Sequence, residues 1–180
     1  MIALIPIDIQ KGFHDPYWGL RNNPDAEEAM AELIEFWRKR SWPVFHVQHL
    51  STLLDSPLRP GQVGVEFMDF AKPKPGEPVF QKTVNSGFIG TSLESALRSK
   101  GIQKVVAMGF TTDHCVSTTT RMAANLGFEV SLSENALATF DRTDFRGEVF
   151  HAETIHRTAL ASLHGEFATV YSQADLLAKL

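Results

Sequence analysis

Three residues of this chain could carry out covalent chemistry together. Cys115 is the only cysteine among 180 residues, so it cannot form an intrachain disulfide. It follows Gly109-Phe110-Thr111-Thr112-Asp113-His114 and opens a stretch, Cys115–Leu126, that reads as a helix. Free N–H groups and the dipole at a helix N-terminus favour an anion, so this position is expected to lower the thiol pKa. Asp8 ends the apolar run Ile2–Ile7, where a carboxylate is costly unless it is paired or used. Lys82 ends the run Val79–Lys82 and is the natural counter-charge. Taken singly, each has a structural reading: a small buried hydrophobe, an Asx turn and a solvated strand end.

Elements must bring these residues together. Six short apolar runs alternate with helical stretches: Ile2–Ile7, Val44–Val47, Val79–Lys82, Lys104–Phe110, Phe128–Leu132 and Phe167–Tyr171. Several are continuously apolar, as strands covered on both faces are. The helical stretches have boundary signals. Ala26–Arg40 follows Asp25, has Glu27 and Glu28 in its first turn and ends on Arg38-Lys39-Arg40. Thr91-Ser92-Leu93-Glu94 reads as a capping box, and Gly101 closes that helix. Ala152–Leu163 and Gln173–Leu180 come later, the second capped by Ser172. This alternation predicts a three-layer α/β/α domain with a mainly parallel six-stranded sheet. In such sheets ligands bind beyond the carboxyl ends of the strands, where Asp8, Lys82 and Cys115 all fall. Leu50–Pro78, with five prolines and three glycines, lacks periodicity and reads as a functional loop or lid.

Composition narrows the classes. The length suits one domain, residues 1–180. Apolar residues are 43% and charged residues 21%, ordinary for a globular chain and too apolar for disorder. A net charge of −4 offers no electrostatic case for nucleic acid or for an anionic membrane. Met1–Ile7 is too short for a signal peptide or spanning helix and meets Asp8 at once, so a cytoplasmic location is expected.

Three ordered motifs then resemble one family. Asp8-Ile9-Gln10-Lys11-Gly12-Phe13, Lys82-Thr83-Val84-Asn85-Ser86-Gly87-Phe88 and Gly109–Val116 are similar to the isochorismatase-like cysteine hydrolases, and the likeness runs from Ile2 to about Tyr171. The resemblance implies sheet order 3-2-1-4-5-6 and an Asp8–Lys82–Cys115 catalytic triad. It also implies an oxyanion hole from the backbone N–H groups of Thr111 and Cys115, with a cis peptide between Phe110 and Thr111. The reaction it implies is hydrolysis of an amide, ureido or carbamoyl bond of a small molecule through a thioester.

The chain departs from the nicotinamidase branch of that family. His46-Val47-Gln48-His49-Leu50-Ser51 stands where those enzymes hold a metal with Asp-x-His. On a strand His46 and His49 point to opposite faces, so no metal and no other cofactor is expected. Phe13, His49, Thr112, His114 and Phe140 are candidates for the substrate-binding wall. Ser117–Thr120 reads as small residues for close packing, and His151, His156 and His164 as structural. Two other functions compete: an isochorismatase-type ether hydrolase and a non-catalytic small-molecule binder. A redox-sensing thiol would lack a resolving cysteine. A homodimer or homotetramer is expected, because Trp18, Trp37 and Trp42 bring apolar area that one small domain leaves uncovered.

Overall fold

β1 (Ile2–Ile7) is buried on both faces from Ala3 onward, which is why its sequence is apolar throughout rather than alternating. Residues 1–180 are described by a computed structural model. β1 pairs in parallel with β2 (His46–His49) on one side and β4 (Lys104–Phe110) on the other. β3 (Val79–Lys82) lies beyond β2, and β5 (Glu129–Ala138) beyond β4. The chain also forms a two-stranded hairpin of β6 (Arg142–Thr143) and β7 (Val149–Phe150), which no apolar run in the sequence foreshadows. β8 (Thr169–Tyr171) closes the far edge, so the sheet order is β3-β2-β1-β4-β5-β8, all parallel. This is the expected order, with the hairpin inserted ahead of the sixth strand.

Boundaries differ in ways that matter. β2 begins two residues later than expected, and Val44 makes only one isolated bridge, to Leu4. The shift puts His49 in register with Lys82. β5 runs on to Ala138, with a register break opposite Ala107–Gly109.

The helices fall into two groups covering the two faces. α1 (Ala26–Lys39) buries Met30, Leu33, Ile34 and Trp37, one stripe at helical spacing. α5 (Gln173–Lys179) lies beside it, Gln173 Nε2 donating to Ala29 O at 3.0 Å. α2 (Leu93–Ser99), α3 (Ser117–Asn125) and α4 (Ala152–Leu163) form the other group, joined by Arg98 to Leu126 O and by Arg121 to Ser162. One expected cap does not form and another forms in part. Asp25 gives α1 no side-chain bond; the Thr91 hydroxyl accepts from the Leu93 N–H at 3.3 Å, but Glu94 pairs with Arg98 one turn on instead of closing the capping box. Ser172 does cap α5, accepting from the Asp175 N–H.

The tryptophans correct the reasoning behind the expected oligomer. Trp37 is fully buried, Trp42 meets it edge-on at 5.6 Å, and Trp18 lies 5.0 Å from the Phe13 ring. All three pack within this chain. The exposed apolar side chains are others, among them Leu54 at 82% and Phe145 at 91%. The 50–78 segment packs against the body of the fold. Leu58, Met68 and Ala71 enter the core, and Lys11 and Met68 N–H groups bond across to Glu66 and Ile9 carbonyls. That segment therefore clasps the chain just after β1.

One partly buried pair ties the sheet edge to α1. Glu77 takes a two-point bond from Arg38 (2.8 Å each), one from the Lys74 N–H and one with His46 Nε2 at 2.9 Å. Burial alone would raise its pKa; Arg38, Lys74 and His46 together hold it down to about 2. The folded value lies below the ordinary 4.5, so this stabilisation is present above that pH and is lost as pH falls toward 2. Glu77→Gln is expected to cost about 2 kcal/mol in urea unfolding at neutral pH. The difference from wild type should shrink through the acid range, and an undiminished difference there would contradict the assignment.

Candidate active site

The carboxyl ends of β1, β3 and β4 converge. Asp8 leaves β1 at φ 54°, its N–H bonded to Val47 O at 2.9 Å. Few L-residues hold that conformation; Asp is among those that do. Next to it β4 approaches through Gly109, at φ 123°, where a Cβ would sit 2.0 Å from Ile7 O. Any side chain there would push β1 from β4 and part Asp8 from Cys115. The Phe110–Thr111 peptide is cis, as the family resemblance implied. A π-helical turn, Thr112–Val116, comes next, in which His114 and Val116 N–H groups both bond to Thr111 O. Cys115 thus sits in this turn, and the regular α-helix begins at Ser117, not at the thiol. The hairpin braces the turn: Arg142 Nε donates to Asp113 Oδ2 at 2.8 Å.

Lys82 Nζ lies at the centre. It is 2.6 Å from Asp8 Oδ2, 3.3 Å from Cys115 Sγ and 3.0 Å from His49 Nδ1. The Asp8 and Lys82 side chains are both fully buried. Asp8 Oδ1 is buried with no hydrogen-bond partner, so an acceptor stands open beside the thiol. Ligand-type atoms of Asp8, His49 and Cys115 lie within 4.8 Å of one another, and the Lys82 ammonium occupies the cation position among them. His46 points elsewhere, to Glu77.

The electrostatics reverse one expectation. Burial pushes the Cys115 thiol pKa far up, and the Asp8 carboxylate pushes it further; Lys82 opposes both without prevailing. The dipole argument placed the thiol at the mouth of a regular helix, but it sits in a dry turn facing a carboxylate. Asp8 is the acceptor that faces this thiol.

The candidate wall residues separate. Phe13 and Phe140 are buried and stack with Phe110 and Trp18. They line a cavity of about 1030 Å³ together with Met68, Phe70, Lys11 and Arg21; the triad does not line it. Thr112 is fully buried with its hydroxyl 2.9 Å from His156 Nδ1, so that hydroxyl already has a partner within the chain. His114 stays half-exposed with Nε2 3.4 Å from Asp113, its pKa lowered by burial. His49 is bound to Lys82 rather than free on a wall. Three contributors have roles that a reading of the sequence does not give, two of them inside the quoted motifs. Asn85 Oδ1 lies 3.7 Å from Cys115 Sγ, and its only signal is its place inside the second motif. The Thr119 hydroxyl does more than pack: it accepts from the Gly87 N–H and so holds the loop after β3. Gln10 is buried and bonds His49 and Val65.

The fold and this constellation together define a class of α/β hydrolase, and comparison with known proteins agrees. A model of the isochorismatase domain matches residues 2–175. The chain is 45% identical over 175 residues to the uncharacterized isochorismatase family protein YrdC of Bacillus subtilis, covering 97% of this chain and 94% of that one. An isochorismatase-family crystal structure from Chromobacterium violaceum superposes with TM-score 0.92 at 45% identity, over 98% and 91% of the two chains. N-carbamoylsarcosine amidase from Thermoplasma acidophilum superposes with TM-score 0.74 at 26% identity, over 96% of each. The chain belongs to the isochorismatase family and is a hydrolase. No helix is long and apolar enough to cross a membrane.

Charge removal at the triad gives opposite signs in two variants. Wild-type Cys115 is expected to react with iodoacetamide at neutral pH more slowly than a free thiol. Asp8→Asn removes the charge that raises the thiol and leaves Lys82, so alkylation should quicken at least about tenfold. Lys82→Met should slow it. Alkylation rates followed by intact mass decide the matter, and equal rates in the wild type and Asp8→Asn would refute the electrostatic reading.

Proposed function

We propose that the chain is a cysteine-dependent hydrolase that cleaves the C–N bond of a small carboxamide, ureido or carbamoyl compound through a thioester. The observation that carries this is the buried Lys82 ammonium, bonded at once to Asp8 Oδ2 and Cys115 Sγ. A purely binding pocket has no use for an ion pair of this kind pressed against a thiol.

The chemistry follows from the positions. The thiol proton passes to Asp8, whose Oδ1 is open, as sulfur bonds to the substrate carbonyl carbon. The carbonyl oxygen becomes an oxyanion, met by the N–H groups of Thr111 and Cys115. The tetrahedral species collapses with loss of the C–N bond, and Asp8 returns its proton to nitrogen so that ammonia or an amine leaves neutral. Water then adds to the thioester, giving a proton to Asp8. The C–S bond breaks, the acid departs, and the thiol is restored. The Lys82 ammonium offsets the negative charge as it moves between carboxylate and sulfur. Polarisation of the carbonyl rests on the two N–H donors, and the cation position beside the thiol already holds an ammonium, so no metal enters the scheme.

Ammonia release from a panel of small amides, ureido and carbamoyl compounds tests the reading. Cys115→Ala and Asp8→Ala should each lose at least about 100-fold of the wild-type rate with unchanged circular dichroism. Activity within about tenfold of wild type in either would defeat the mechanism. Dialysis against a chelator should leave turnover unchanged, and zinc- or manganese-restored activity would bring a metal back.

We further propose a homodimer or homotetramer, now on the exposed Leu54 and Phe145 rather than on the tryptophans. Sedimentation at micromolar concentration should show no lone monomer, and a monomer alone would refute it.

A further inference from the structure

We propose that His49 is a positioning residue of the triad, its Nδ1 taking one of the three N–H bonds of Lys82 and so fixing where the ammonium sits between Asp8 and Cys115. This rests on the Asp8–Lys82–Cys115 reading above and adds a fourth member to it.

The argument begins with donor counting. An ammonium has three N–H bonds and no acceptor. Lys82 meets three acceptors, Asp8 Oδ2 at 2.6 Å, His49 Nδ1 at 3.0 Å and Cys115 Sγ at 3.3 Å. With only the first and last, the group could turn about its final bond and drop the longer, weaker contact to sulfur. The imidazole closes that freedom. Because lysine can only donate, His49 Nδ1 must be the unprotonated nitrogen, and the ring N–H is left for the Val84 backbone beside it. Burial first, and the Lys82 charge second, keep the ring neutral; Asp8 is the opposing group that faces it.

The backbone is built to hold that ring in place. His49 pairs with Lys82 across β2 and β3. The fully buried Gln10 side chain grips His49 on both sides: Oε1 accepts its N–H at 2.8 Å and Nε2 donates to its carbonyl at 3.0 Å. Gln10 Nε2 also donates to Val65 O at 2.9 Å. The next residue, Leu50, donates its N–H to Lys82 O at 2.8 Å. A residue serving only as a surface wall would need none of this. Its Nδ1 is also already engaged, so it is not a free acceptor for a substrate group.

The test is a double-mutant cycle read on alkylation of Cys115 by iodoacetamide at mildly alkaline pH, which needs no knowledge of the substrate. His49→Phe keeps the ring volume and removes the acceptor. It should slow alkylation about tenfold, the change in thiolate fraction for one unit of thiol pKa. His49→Asn, which places an acceptor near the Nδ1 position, should recover all but about twofold of the rate. In the Lys82→Met background, His49→Phe should have no further effect, since the lysine through which it acts is gone. Melting temperatures of all variants are compared to confirm folding. Three results overturn the proposal: a wild-type rate in His49→Phe, equal losses in His49→Phe and His49→Asn, or additive losses in the double variant. Failure of the underlying reading looks different. There Lys82→Met itself would leave alkylation unchanged, or Cys115→Ala would retain turnover.

Discussion

The structure depends on one buried ion pair placed against a thiol. Lys82 and Asp8 are fully enclosed, and their contact is 2.6 Å long. Taking two charges out of water costs several kcal/mol each, and mutual attraction commonly only offsets that. A well-packed apolar pair would serve the core better. In the proposed mechanism the pair supplies a proton acceptor and a positive charge on either side of the thiol. The same burial raises the thiol pKa.

Much of the remaining architecture can be read as keeping those charges in register. The parallel order places β1 and β4 side by side at the point where the connections diverge, so Asp8 and Cys115 arise from adjacent strand ends. Gly109 lets the two backbones close to a distance no side chain would tolerate. The π turn ties its own carbonyl with two N–H groups, and Arg142 reaches over from the hairpin to hold Asp113. On the other flank, Gln10 and the 50–78 segment fasten the ends of β1 and β2 together. The residues that matter are thus spread along the chain but joined by short, buried bonds.

The amino-acid pattern makes a good part of this legible, and the failures are physical. Continuous apolar runs mark the strands because both faces are covered, and charged or thiol residues at their ends mark the site. Burial is not legible. Nothing local to Cys115 reveals that its turn is dry, so the dipole argument points the wrong way on pKa. Thr112 and the tryptophans mislead for the same reason, since their partners, His156, Phe13 and each other, are set by packing between distant segments. His49 is legible as a site residue but not in its role, because that depends on a two-residue shift of β2 which no local propensity signals. Glu94 is a cap-forming type, yet Arg98 one turn on takes its side chain instead.

The most direct measurement uses the fact that Cys115 is the only cysteine. Selective 13Cβ-cysteine labelling yields a single resonance whose shift distinguishes thiol from thiolate. Followed against pH in the wild-type protein, it should report a thiol through neutral pH and begin to move only in alkaline solution. A thiolate already present around neutral pH would contradict the account, because Asp8 would then have no proton to take.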